Sequence, residues 1–131
     1  MIINIFLIAL GGSIGSLLRY FSSNYITKII RFSNYAHIPF NTIFINVVGC
    51  FLAGIVYYFS IKYFDNFDSK YKNFLFVGIL GSYTTFSTFS IDFFRLFNAN
   101  LYLTASFYAI SSVILSLMAI FFGFYLMKIL F

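Results

Sequence analysis

Between Gly78 and Phe94 the chain reads GILGSYTTFSTFSIDFF, and five hydroxyl side chains (Thr84, Thr85, Ser87, Thr88, Ser90) fall within seven residues there, interleaved with Phe86 and Phe89. A hydroxyl donates a hydrogen bond, and an aromatic ring is positive at its edge. Phe86 and Phe89, three apart, share one face of a helix, so their edges can solvate a small anion weakly without trapping it. More polar groups stand in apolar surroundings elsewhere. Asn46 lies midway along NTIFINVVGCFLAG, where an amide either holds two helices together by a hydrogen bond or directs its NH₂ at a passing ion. Tyr108, Ser112 and Ser116 recur at four-residue spacing, which places three hydroxyls on one helical face. Arg19 precedes Lys28 by more than two helical turns. At that depth a guanidinium either snorkels to headgroups or faces a wet vestibule, where its fixed charge would concentrate anions. Donor hydroxyls, ring edges and an amide form a chemical set that suits an anion.

The elements that position these groups follow from composition. Of 131 residues, 62% are hydrophobic and 8% charged, and mean hydropathy is +0.97. Soluble domains carry roughly 25% charged residues, so this is an integral membrane protein. About 20 apolar residues cross the hydrocarbon and charges are expensive inside it, so the charges divide the chain. The reading is all-α, with one domain of four transmembrane helices over about residues 2–27, 38–61, 73–94 and 98–127. The second is expected to start after Pro39, because proline is tolerated at a helix start. The N-terminus lacks the basic region of a secretory signal.

Small residues four apart, Gly11 with Gly15, Gly12 with Ser16, Gly49 with Ala53 and Cys50 with Gly54, let membrane helices approach closely and favour an oligomer. Cys50, the single cysteine, excludes a disulfide framework and reads as a small buried hydrophobe. The one histidine, His37, sits in a loop beside Pro39, and no constellation resembles a catalytic site, so the chain is not read as an enzyme. With the termini cytoplasmic, that side carries Lys62, Lys70, Lys72 and Lys128 against Lys28, Arg31 and Arg95 on the other. A bias of four to three is too small to fix orientation. Copies inserting both ways would allow an antiparallel dimer.

Gly78, Gly81, Ser82 and the Thr84-Thr85 pair continue a helix poorly, which predicts a break near the middle of the third span. At membrane depth, freed backbone groups must be buried in protein or line a wet cavity, and their carbonyls commonly hold a cation.

Three segments, GGSIGSLLRY, NTIFINVVGCFLAG and GILGSYTTFSTF, resemble the signatures of the Fluc (CrcB) family of fluoride channels, in order along the whole chain. The resemblance implies a multi-pass protein of the cell membrane that assembles as an antiparallel, dual-topology homodimer and passively exports fluoride. Its partners are then fluoride, membrane lipid and a second copy of itself, with no nucleic acid. By the same resemblance Phe86 and Phe89 line the fluoride path and Asn46 is its amide. Ser87 and Thr88 belong to the hydroxyl core, Tyr108, Ser112 and Ser116 to a polar track on the last helix, and Arg19 to the vestibule. Gly81 and Thr84 match positions whose backbone carbonyls hold a structural Na⁺ at the dimer axis. The chain departs from the family pattern at Asn41, usually Gly, at Ser16, usually Ala, and at Asp92, usually Glu. The alternative is a proton-coupled exporter of the small multidrug-resistance type, which needs a membrane-embedded carboxylate. The only acids, Asp65, Asp68 and Asp92, stand near the expected span ends, which argues against it.

Overall fold

The computed structural model describes residues 1–31, 38–63 and 69–131. His37, Asp65 and Asp68 lie outside the described residues. The order is α1 (Ile2–Ile30), α2 (Phe40–Tyr63), α3 (Ser69–Lys72), a π-helical segment (Asn73–Leu80), α4 (Gly81–Tyr83), α5 (Phe86–Asn98) and α6 (Tyr102–Leu130). Four stretches are long and apolar enough to cross a membrane: α1, α2, the run Lys70–Asn98, and α6.

Helices run past the charges that bound the apolar stretches. Lys28, Lys62, Arg95 and Lys128 all fall in the last turns of their helices. Long basic side chains reach back to the headgroups, so a charge marks the edge of the hydrocarbon and not the end of the helix. The start of α2 does follow proline: the Pro39 carbonyl accepts from the N–H groups of Thr42 at 3.2 Å and Ile43 at 3.3 Å.

Backbone contact organises the packing. A Cβ on Gly54 of α2 would run into the Ile120 carbonyl of α6, and one on Gly123 of α6 into the Phe51 carbonyl of α2. Two glycines thus hold these helices at backbone distance, with Phe51 and Phe122 stacked alongside, centroids 5.8 Å apart. Gly11 does the same for α1, where an added Cβ would lie 2.9 Å from Gly78 Cα in the π-helical segment. These small residues serve contacts within one chain.

The third span changes backbone geometry twice. Its first part is π-helical; after α4, Thr84 (φ −75°, ψ 158°) and Thr85 (φ −150°, ψ 119°) are extended. Gly81 is helical, at φ −64° and ψ −31°, so of the residues expected to break the span it is the Thr84-Thr85 pair that leaves the helix. Thr85 then caps α5, its Oγ1 accepting from Thr88 N–H at 3.1 Å, as side-chain oxygens do at helix starts.

Asn100, at φ 61°, ends α5. Leu101 N–H donates to Leu96 O and Asn100 N–H to Phe97 O, both at 3.0 Å. This left-handed cap satisfies the last carbonyls and folds α6 back beside α5. Ile43, Leu96, Ala105 and Tyr108 form the buried core between α2, α5 and α6.

Candidate functional site

Two cavities meet at Thr85. The first, of about 290 Å³, is lined by Asn46 and Cys50 of α2, Thr84, Thr85, Phe86 and Phe89 of the third span, and Ser112 and Ser116 of α6 among others. The second, of about 280 Å³, is lined by Ser16, Arg19, Tyr20 and Ser23 of α1, Asn41 and Thr42 of α2, and Thr85 and Thr88. Thr85 belongs to both walls.

Asn46 fixes that wall. Its Nδ2 donates to Thr85 O at 3.0 Å and its Oδ1 accepts from Thr85 N–H at 2.8 Å. Extended backbone between two helices has no helical partners for these groups, and an unpaired peptide is costly where water is absent. The amide of α2 replaces them. One of its two N–H groups remains for the first cavity.

Ser112 supplies a second donor. It is 4% exposed, and its Oγ has no hydrogen-bond partner among the described residues. Buried hydroxyls are nearly always partnered, so the Ser112 hydroxyl, beneath the cavity wall, is a donor without an acceptor among the described residues. Ser116 lines the wall one turn further along α6.

The aromatic side of the cavity is a graded stack. Phe86 is 76% exposed, its ring centroid 5.3 Å from that of Phe89, and Phe89 stacks on Tyr108 at 5.3 Å. Tyr108 is fully buried, at 0% exposure, and stands outside the cavity lining. It supports Phe89 from behind. Behind Tyr108 lies a group whose burial the sequence did not disclose: Asp92 is 9% exposed. Thr42 Oγ1 donates to Asp92 Oδ2 at 2.7 Å, and Tyr108 OH reaches the same oxygen at 3.5 Å. Arg95 stands 3.8 Å from Oδ1. Asp92, near the end of the third span, is therefore held against α2 by a hydroxyl fifty positions earlier.

The remaining residues separate. Thr88 and Arg19 face the second cavity together. Ser87 is exposed, outside both cavities, its Oγ 3.3 Å from Thr85 Oγ1. Gly81 is likewise exposed and lines neither cavity, while Thr84 lines the first. Cys50 is half-buried on the first cavity's wall, so the expectation of a packed core thiol is corrected. It follows Asn46 by four residues, and that spacing on α2 is the signal that could have placed it.

The comparisons with known proteins agree along the whole chain. The profile of the family described as CrcB-like protein, Camphor Resistance (CrcB), matches residues 6–124. A "Fluoride-specific ion channel FluC" of Azobacteroides pseudotrichonymphae is 39% identical over 127 residues, covering 96% of this chain and 97% of that protein. "Fluoride-specific ion channel FluC 3" of Methanosarcina barkeri is 36% identical over 119 residues, 91% of this chain and 86% of its own length. A protein of the first name from Rhizobium etli is 36% identical over 128 residues, 98% of both chains.

Proposed function

The chain belongs to the CrcB-like family, and on that premise we propose that it is a fluoride-specific channel of the cell membrane, letting fluoride run passively out of the cell. The need is chemical. Hydrogen fluoride is neutral, crosses lipid from acidic surroundings and dissociates inside, leaving an anion that lipid retains. A passive pore returns it.

The unpartnered Ser112 hydroxyl in the cavity walled by Asn46, Phe86 and Phe89 carries this reading. Fluoride is small, strongly hydrated and a strong acceptor, so leaving water costs it more than any larger halide. The path must replace that hydration with donors. Ser112, Ser116 and the second Asn46 N–H supply them, and the ring edges of Phe86 and Phe89 add a weak positive field that holds an anion without binding it tightly. Arg19 raises the local anion concentration at the second cavity, and Thr88 and Thr85 face that cavity with it. Ser87 contributes through Thr85, and Tyr108 by holding Phe89.

The extended residues in the third span make it a broken helix with a function, and two copies related by a two-fold axis bring their breaks together. The residues fit a monovalent hard cation. The N–H that would close a helical turn onto Gly81 O belongs to Thr85 and goes to Asn46; the one that would reach Thr84 O belongs to Thr88 and goes to Thr85 Oγ1. Both carbonyls thereby lose their helical donors. Gly81 and Thr84 of an antiparallel pair would supply about twice the oxygens of one copy, a neutral set suited to Na⁺. When bound, the ion supplies fixed positive charge at the centre of an anion path.

The test is halide efflux from liposomes holding the purified protein. Fluoride should leave rapidly and chloride at the rate of empty vesicles; equal rates for the two would refute the proposal. A proton-coupled exporter would instead show fluoride flux, above the hydrogen fluoride leak of empty vesicles, driven by an imposed pH gradient at zero fluoride gradient.

A further inference from the structure

Cys50 stands on α2 one helical turn from Asn46, half-buried, in the wall of the same cavity as Phe86 and Phe89. Ser116 on α6 lines that wall with it, and Ser112, one turn back, joins them with a hydroxyl that is buried and unpartnered among the described residues. The wall therefore combines one soft sulfur with two neighbouring oxygens around about 290 Å³ of space.

We infer that Cys50 makes this cavity a binding site for a thiophilic metal ion, and that metal bound there blocks the fluoride path. The inference rests on the channel reading of the same cavity. A thiolate prefers soft cations, and here the adjoining hydroxyls can complete a low coordination number. An ion must reach the site past an anion-selecting vestibule, which favours a species without net charge. Mercury(II) chloride meets that condition, being neutral, linear and soluble in lipid. In the exchange the sulfur of Cys50 bonds to mercury, one chloride leaves, and the thiol proton passes to water; no oxidation state changes. The product carries a bulky S–Hg–Cl group beside the ring edges and over the Ser112 and Ser116 hydroxyls, and it takes the space a passing anion needs.

The chain has one cysteine, so any thiol-bound mercury reports this site. Efflux of fluoride from liposomes is recorded before and after addition of mercury(II) chloride, and intact mass is measured on the same sample. We expect one mercury per chain in the folded protein, flux falling to that of empty vesicles, and recovery on addition of dithiothreitol. Cys50→Ser, whatever its own rate, should keep that rate in the presence of the reagent. Undiminished flux from fully mercurated protein overturns the block, as does equal inhibition of Cys50→Ser. A folded protein that takes no mercury while the unfolded chain does overturns the site itself. Absence of fluoride flux before any reagent is added would instead strike the channel reading, and the site would then be decided by the mass alone.

Discussion

The side chain of Asn46 and the backbone of Thr85 form a closed pair, Nδ2 donating to the Thr85 carbonyl at 3.0 Å and Oδ1 accepting from its N–H at 2.8 Å. One amide thus stands in for the two helical partners that an extended residue loses. Replacing it with the similarly sized Asn46→Leu leaves both peptide groups unpaired where water is scarce, at about 1–3 kcal/mol each. The variant should unfold at lower temperature in detergent and lose fluoride flux. Wild-type thermal stability would mean that the extended turn holds itself.

Phe86 and Phe89 separate in how they combine packing with conduction. Phe86 is largely exposed in the single chain, whereas Phe89 lies between Phe86 and Tyr108. Phe86→Ile should leave the stability of the isolated chain nearly unchanged. Phe89→Ile should lose the stacking contribution, about 0.5–1.5 kcal/mol. Both should lose flux, because isoleucine keeps bulk but has no positive edge. Flux that survives both changes in a normally assembled protein would relegate the rings to packing.

The buried carboxylate offers a test with a defined sign. Thr42 Oγ1 donates to Asp92 Oδ2 at 2.7 Å between α2 and α5, and hydrogen bonds to charged groups are worth about 1.5–3 kcal/mol. Thr42→Val and Asp92→Asn should each destabilise. The double variant should cost less than the sum of the two, because each single change already breaks the same bond. Additive losses in thermal or denaturant unfolding would show that the contact carries no energy of its own.

What the sequence discloses and what it withholds divide along sequence distance. The four apolar runs were legible because hydropathy is local, and the helix start that follows Pro39 was legible because its chemistry acts within a few residues. Gly78, Gly81, Ser82 and the Thr84-Thr85 pair pointed to a break in the third span, and the break falls at Thr84 and Thr85 while Gly81 stays helical. Their partner Asn46 lies thirty-nine residues away from Thr85, and no local propensity encodes it. The burial of Asp92 was hidden for the same reason: its place near a span end is local, whereas Thr42 and Tyr108, which enclose it, are distant in sequence. The stripe Tyr108, Ser112, Ser116 was sound as a helical face, but Ser112 and Ser116 line the cavity while Tyr108 lies behind Phe89. A four-residue period fixes a face without fixing depth.

Topology gives a prediction from charge alone. Four basic residues on one side against three on the other leave orientation unbiased, so reporters fused to either terminus should be found on both sides of the membrane in one preparation. A single orientation in every molecule would rule out the antiparallel pair and, with it, a shared cation site.

Sodium removal addresses that site directly. Thr85 N–H and Thr88 N–H are diverted to Asn46 Oδ1 and Thr85 Oγ1, so the carbonyls of Gly81 and Thr84 need another positive partner. On the proposed reading a hard cation between two copies would supply it, and the absence of carboxylate ligands there would favour a single charge over a divalent ion, which prefers charged oxygens. Purification in a large organic cation, free of sodium and potassium, should weaken the dimer or abolish fluoride flux, and returning sodium should restore it. Calcium or magnesium should not substitute. A dimer and a flux both indifferent to sodium would remove the ion from the architecture and leave the two carbonyls to find donors within the chain.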